Sequence, residues 1–185
     1  LSYHKKTYLC SMNGLNYTVN TINSIVNGKI IGKSDNTHII NNVLYDSRLL
    51  LSPKDTIFFA LKTHRNDGHK FINDLYSKGV IVFVIENINM VKDMVNNTDI
   101  TFILVQNTLQ ALQAFSAYHR KQFNIPTIGI TGSNGKTIVK EWLYQILSPT
   151  LSVIRSPKSY NSQIGVPVSV LQINNNQNKK KRDHP

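Results

Sequence analysis

Apolar positions along this chain fall into short alternating blocks. Val19, Ile22, Ile25 and Val26 recur at helical spacing up to Gly28, which predicts a short amphipathic helix. Lys29–Ile31, Ile39–Tyr45 and Ile57–Leu61 read as strands, rich in β-branched and aromatic residues. Ser34–Thr37 is a polar turn, and Lys62–Lys70 is a polar loop turning at Asp67-Gly68. Phe71–Ser77 is helical in pattern and is stopped by Gly79. Val80–Ile85 is continuously apolar, as in a strand buried on both faces. Val91–Val95 predicts a short helix and Thr101–Val105 a further strand. Asn107 is placed to cap a longer helix, with Gln110 three residues on and a stripe of Leu109, Leu112, Phe115 and His119.

The alternation continues beyond Pro126. Thr127–Ile130 predicts a buried strand, followed by the loop 131–135. Ile138, Val139, Trp142, Leu143, Ile146 and Leu147 then mark a helix that ends at Ser148-Pro149. Leu151–Ile154 predicts another strand, and Val168–Ile173 is apolar again. Strands alternating with helices imply an α/β fold. The boundary between two domains is expected at Asn124–Pro126: a first domain over 1–124 and an incomplete second over 125–177. The polar, basic end over 178–185 lacks periodicity and is expected to be disordered.

Composition narrows the classes. The 185 residues suffice for one domain and part of another. No apolar run approaches the roughly 20 residues of a membrane span, and the opening LSYHKKTYLC lacks the apolar core of a secretion signal. A lone Cys10 excludes an internal disulfide framework and suits a reducing cytoplasm. The net charge of +11 suits an anionic partner. A phosphorylated small molecule explains that sign as well as nucleic acid does, and with no aromatic-plus-basic recognition motif nucleic-acid binding is not expected as the main function.

Strand, Gly-rich loop and a helix opening Gly-Lys-Thr is the layout of a phosphate-binding loop. Thr131, Gly132, Ser133, Asn134, Gly135, Lys136 and Thr137 are the expected phosphate contacts. Glycines let successive N–H groups converge on one anion, and a helix start adds unpaired donors. Lys136 is the expected catalytic cation, reaching the terminal phosphates, and the Thr137 hydroxyl is the expected Mg2+ ligand. The strict pattern is departed from at Ile130, where it has glycine.

Two polar clusters follow strands in the first domain, where α/β proteins hold ligands. Asp46-Ser47-Arg48 is either a phosphate fork or a turn closed by a surface ion pair. Thr63–His69 is the other, and His69 reads as a structural histidine holding its loop rather than a catalytic one. No histidine pair has zinc-ligand spacing. Arg155–Asn161 is either an anion-holding loop or a solvated one.

Three stretches occur together in the order of one family: D-S-R at 46–48, F-F-A-L-K-T-H-R-N-D-G-H-K-F at 58–71 and G-I-T-G-S-N-G-K-T at 129–137. They resemble the Mur ligases, and within these the branch that joins D-alanyl-D-alanine to UDP-N-acetylmuramoyl-tripeptide. The run R-S-P-K-S-Y-N-S-Q-I-G-V-P at 155–167 is similar to the segment after the ATP loop in that family. The resemblance implies a small amino-terminal substrate domain followed by the start of a P-loop, parallel-sheet ATPase domain, and that the phosphate contacts of Thr131–Thr137 are to ATP. It implies that Ser47, Arg48, Asp67, Gly68, His69 and Asn161 bind the UDP-linked peptide. Thr63 stands where many members have glycine. The implied reaction is phosphorylation of the peptide carboxylate by Mg-ATP, then attack by the amine of D-alanyl-D-alanine. Family ligands beyond position 185 are missing, so the chain is expected to be an inactive fragment. A UDP-sugar-binding module without turnover, or a relative of the folylpolyglutamate synthases, are the alternatives.

Overall fold

The structure is a computed structural model that describes residues 15–32, 37–64, 66–97, 99–156 and 162–175. Residues 34–36 of the turn expected at Ser34–Thr37 and the basic end at 178–185 lie outside the described residues, as does Asn161. The chain divides into two compact units, Leu1–Ala111 and Leu112–Pro185. The division falls inside a helix that continues from one unit into the next.

In the first unit, β1 (Tyr17–Thr18) leads into α1 (Val19–Ile25), capped by the Thr18 side chain, which accepts from the Thr21 amide. β2 (Lys29–Gly32), β3 (Ile39–Ile40), β4 (Asn42–Leu44) and β5 (Thr56–Phe59) follow. After them come α2 (Ile72–Ser77), β6 (Val82–Ile85) and β7 (Thr101–Leu104). β4, β5, β6 and β7 run parallel, and β2 closes the β7 edge antiparallel, giving the order β2-β7-β6-β5-β4. Every residue of β5 and β6 is buried, as expected of central parallel strands with both faces covered. Phe83 forms the centre of the core, edge-on to Phe58 at 6.3 Å and tilted against Phe102 at 5.8 Å.

Several expected elements differ in extent. The strand expected over Ile39–Tyr45 is two: β3 pairs with β1, whereas β4 pairs with β5. The break is at Asn41, because the amides of Asn41 and Asn42 both donate to the Asp55 carbonyl, at 2.9 and 3.0 Å. This redirects the chain from one sheet to the other. Leu61 is not in the β5 ladder: its amide turns back to the Phe59 carbonyl at 2.8 Å. The helix expected at Val91–Val95 is a 3-10 segment, Ile88–Met94, kinked at Val91.

α3 (Thr108–Lys121) spans the division between the units, and α4 (Lys136–Leu147) and α5 (Gly165–Val170) lie in the second. Asn107 caps α3 as expected, its Oδ1 accepting from the Gln110 amide at 2.9 Å. Within the second unit, His119 donates from Nε2 to the Ile173 carbonyl at 2.8 Å, and Gln113 reaches the Gln163 carbonyl at 3.3 Å. Burial holds the His119 imidazole below its ordinary value, although the Ile173 bond works against this.

The strands expected at Thr127–Ile130 and Leu151–Ile154 do not form ladders among the described residues. A strand exists only through a paired neighbour, and Ile128 is 61% exposed. The apolar stripe of α4 is likewise uncovered: no residue of that helix is buried, and Trp142 is 61% exposed. The apolar stretch Val168–Ile173 belongs to α5 and the turn after it, with Val168 and Leu171 buried.

Candidate functional site

Four parallel strands aim their carboxyl ends at one edge of the first sheet. In open α/β sheets that edge is where ligands bind. The segment after β4 begins at Asp46, whose side chain caps the 3-10 turn Ser47–Leu49 by accepting from the Arg48 amide at 3.1 Å. The Arg48 guanidinium grips the same carboxylate twice, Nε to Oδ1 at 2.9 Å and Nη2 to Oδ2 at 2.5 Å. These bonds hold the Asp46 carboxyl below the usual carboxylate range. The surface-ion-pair geometry is therefore present, yet the Arg48 side chain is 85% exposed and so available to an anion. Ser47 is half-buried in the same turn.

The loop after β5 is held by its own polar groups. Lys62 and Asp67 form an isolated antiparallel bridge. Thr63 closes the turn: its amide and hydroxyl both donate to the Asn66 carbonyl, and its hydroxyl accepts from the Asn66 amide. Gly68 packs directly onto the end of β5. A Cβ there would lie 2.8 Å from backbone atoms of Ala60 and Leu61, so the close approach admits only glycine.

Asp67 Oδ1 accepts from the His69 amide at 3.0 Å and bonds its Nδ1 at 2.6 Å. Burial by itself raises the Asp67 carboxyl, but the His69 bonds outweigh it and leave the group below its ordinary value. On the other side of the ring, Nε2 accepts from the Glu86 amide at 3.2 Å. Nε2 is thus the acceptor nitrogen, and the proton sits on Nδ1. With its side chain 1% exposed, His69 holds its loop, as its sequence context suggested.

Glu86 follows β6, and its Oε2 accepts from the Thr108 amide at 3.0 Å and hydroxyl at 3.2 Å. Sequence reasoning missed this residue. A signal existed: Glu86 is one of two glutamates in the chain and directly follows the apolar run Val80–Ile85.

In the second unit, Gly132 (φ +141°) and Gly135 (φ +76°) take left-handed conformations that favour glycine, and α4 starts at the next residue. The first-turn amides of α4 have no carbonyl one turn back within the helix. Thr131, Ser133 and Asn134 are exposed along the loop, and Thr137 lies in the first turn. Lys136 folds over the loop, its Nζ donating to the Gly132 carbonyl and, at 3.3 Å, to that of Ser133. Its ammonium is thereby carried back across the loop from the helix start.

Arg155 is committed within its own unit. It pairs with Glu141 and lies over the Tyr144 ring at 3.9 Å. Lys140 bonds the Ser156 carbonyl at 2.8 Å, and burial, then the Arg155 charge, lowers the pKa of its ammonium. This cluster ties Arg155 and Ser156 to α4.

Arg120 is a second residue that the sequence did not flag. Its guanidinium donates to the Phe123 carbonyl at 2.7 Å, the Ile125 carbonyl at 2.8 Å and the Thr127 hydroxyl at 2.5 Å. It splints residues 123–127, ahead of the Gly-rich loop. Arg120→Ala is expected to speed tryptic-independent cleavage of this segment, for example by chymotrypsin at Phe123, about tenfold. The loss of hydrogen bonds to a charged group, roughly 1.5–3 kcal/mol, sets that scale. Cleavage at the wild-type rate would show that the splint does not restrain the segment.

Among the described residues, no helix is long and apolar enough to cross a membrane. Nor does any group of three or more His, Cys, Asp or Glu residues there have the arrangement to hold a metal ion.

Known proteins match over both units. A model described as "Mur ligase family, catalytic domain" matches residues 39–120, and one described as "Mur ligase middle domain" matches 130–180. The UDP-N-acetylmuramoyl-tripeptide--D-alanyl-D-alanine ligase of Synechocystis is 38% identical over 134 residues, covering 72% of this chain and 28% of that one. A crystal structure of MurF from Acinetobacter baumannii superposes with a TM-score of 0.74 at 28% identity, over 88% of this chain and 34% of that one. MurF from Thermotoga maritima in complex with ADP superposes with a TM-score of 0.59 at 29% identity, over 72% of this chain and 29% of that one. The chain thus spans about a third of the length of the relatives it matches. With two Mur ligase models matched in succession and a MurF fold beneath them, the chain belongs to the Mur ligase family.

Proposed function

We propose that this chain supplies the UDP-substrate domain and the ATP loop of a ligase of peptidoglycan precursor synthesis. The ligase joins D-alanyl-D-alanine to UDP-N-acetylmuramoyl-tripeptide. The observation that carries this reading is the pairing of D-S-R and D-G-H loops on one carboxyl edge, in a chain whose relatives bear that ligase's name. The boundary between the two domains lies at Asn124–Pro126, supported by the gap between the matched segments 39–120 and 130–180.

In this reading Arg48 and Ser47 take the UDP end of the substrate, while Asp67, Gly68 and His69 shape the adjoining loop. Asn161 contributes from the segment after the ATP loop. Thr131–Thr137 takes ATP, supported by the left-handed glycines at 132 and 135 and by the ADP complex of a solved relative. The Thr137 hydroxyl fits Mg2+, which keeps waters and phosphate oxygens as its other ligands and needs few protein groups. When bound, Mg2+ neutralises phosphate charge. Lys136 leaves its carbonyl contacts for the terminal phosphates and neutralises charge as the phosphoryl group moves to the peptide carboxylate. The amine of D-alanyl-D-alanine then displaces phosphate from the acyl phosphate, forming the amide. The chain's own work is positioning, since three anionic groups are brought together. Substrates of this kind place the protein in the cytoplasm.

Titration calorimetry with UDP-N-acetylmuramoyl-tripeptide tests the site. Arg48→Ala is expected to weaken that ligand about tenfold, the scale of one charge-assisted contact, and to leave Mg-ATP unaffected. Unchanged affinity for the UDP ligand would reduce Arg48 to a partner of Asp46.

A further inference from the structure

We propose that Glu86 is a positioning residue for the UDP-linked substrate, acting through both its main chain and its side chain. This rests on the reading that the carboxyl edge takes that ligand. Three separate segments meet at Glu86. Its amide donates to His69 Nε2, and the other ring nitrogen of His69 bonds Asp67. Its carboxylate receives both the amide and the hydroxyl of Thr108. The loop after β5, the end of β6 and the start of α3 are therefore linked by one continuous hydrogen-bonded path.

The path is shielded from water where it matters. His69 is 4% exposed and Thr108 is 1% exposed. Bonds so shielded hold their geometry better than exposed ones, because no water competes for the donors. The carboxylate also satisfies the first donor of α3, while Asn107 satisfies the Gln110 amide two residues on. The start of α3 is thus occupied by a carboxylate, which disfavours a phosphate there by like-charge repulsion. A diphosphate on this edge is directed instead to the β4 end, where the Arg48 guanidinium is exposed. Glu86 therefore fixes the loop that faces the ligand and sets the direction in which the ligand lies.

Two glutamate variants separate this role from general stability. Glu86→Ala removes both bonds to Thr108. Glu86→Gln keeps one carbonyl oxygen that accepts from the Thr108 amide. In the full chain, held well below its melting temperature, Glu86→Ala is expected to weaken UDP-N-acetylmuramoyl-tripeptide about tenfold, the scale of a lost charge-assisted cap. Mg-ATP affinity is expected to change by less than about twofold, and Glu86→Gln to stay within about threefold of wild type. Amide hydrogen exchange supplies a readout that needs no ligand. Exchange at Gly68, His69 and Thr108 is expected to quicken about tenfold in Glu86→Ala, with the amides of β5 and β6 unchanged.

Unchanged exchange at Gly68 and His69 would overturn the linkage itself. Quickened exchange with wild-type affinity for the UDP ligand would overturn its role in positioning. Equal weakening of both ligands, or failure of Glu86→Gln to rescue, would reduce Glu86 to a structural cap. If the wild-type chain does not bind the UDP ligand, the reading of the edge fails and this proposal fails with it, whatever the exchange data show.

Discussion

Lys136→Ala is expected to weaken Mg-ATP binding about tenfold to a hundredfold, the range for a lost charge-assisted contact with a phosphate. The physical reason lies in the loop. Gly132 and Gly135 take left-handed conformations in the proposed ATP loop, and Lys136 is the cation carried over that loop. Its ammonium rests on two loop carbonyls, and in the proposed ATP complex those contacts are exchanged for phosphate oxygens. Lys136→Arg keeps the charge but not the compact geometry, and is expected to recover only part of the affinity. Neither substitution is expected to alter the fold, since among the described residues the side chain bonds the carbonyls of its own loop. Calorimetry with Mg-ATP, alongside circular dichroism, measures both. Wild-type affinity in Lys136→Ala would remove this residue from the proposed ATP site.

Gly68→Ala is expected to destabilise the first unit by about 1–3 kcal/mol, the usual cost of forcing an atom into a packed site. Each kcal/mol corresponds to a fall of roughly 2–4 °C in melting temperature for a chain of this size. The added methyl would meet backbone of Ala60 and Leu61 at 2.8–2.9 Å, and backbone at the end of a central strand cannot swing aside as a side chain can. The Gly68 amide also donates to the Leu61 carbonyl at 2.9 Å, so displacing the loop breaks that bond as well. Asp67 and His69 are expected to move with it, and affinity for the proposed UDP ligand to fall in parallel. Gly129→Ala is the control, because a Cβ there meets nothing within 4 Å. Equal melting temperatures for the two variants would contradict the close approach at Gly68.

These expectations show which features were legible in the sequence. Local patterns carried well. Val82–Ile85, within the continuous apolar run Val80–Ile85, became a central strand buried on both faces, and Asn107 capped the helix it was placed to cap. The D-S-R and D-G-H stretches folded as Asp-capped 3-10 turns at neighbouring strand ends. Features that depend on distant partners carried poorly. Thr127–Ile130 has strand composition, yet a strand requires a neighbour, and composition cannot supply one. The switch of sheets at Asn41 depends on a carbonyl at Asp55, fourteen residues away, which no local pattern announces. Glu86 and Arg120 escaped notice because each works through main-chain groups of another segment, invisible in any motif.

The most direct test of the proposed function is a ligation assay on a chimera. Residues 15–175 replace the matching segment of the Synechocystis ligase, which supplies the other two thirds of the length. The folded chimera, checked by circular dichroism, is expected to join D-alanyl-D-alanine to UDP-N-acetylmuramoyl-tripeptide with consumption of one ATP per amide formed. The 185 residues by themselves are expected to give no product. A folded chimera that binds neither the UDP ligand nor Mg-ATP would contradict the assignment of both sites. Product formed by the 185 residues alone would contradict the claim that ligation needs what the remaining two thirds provide.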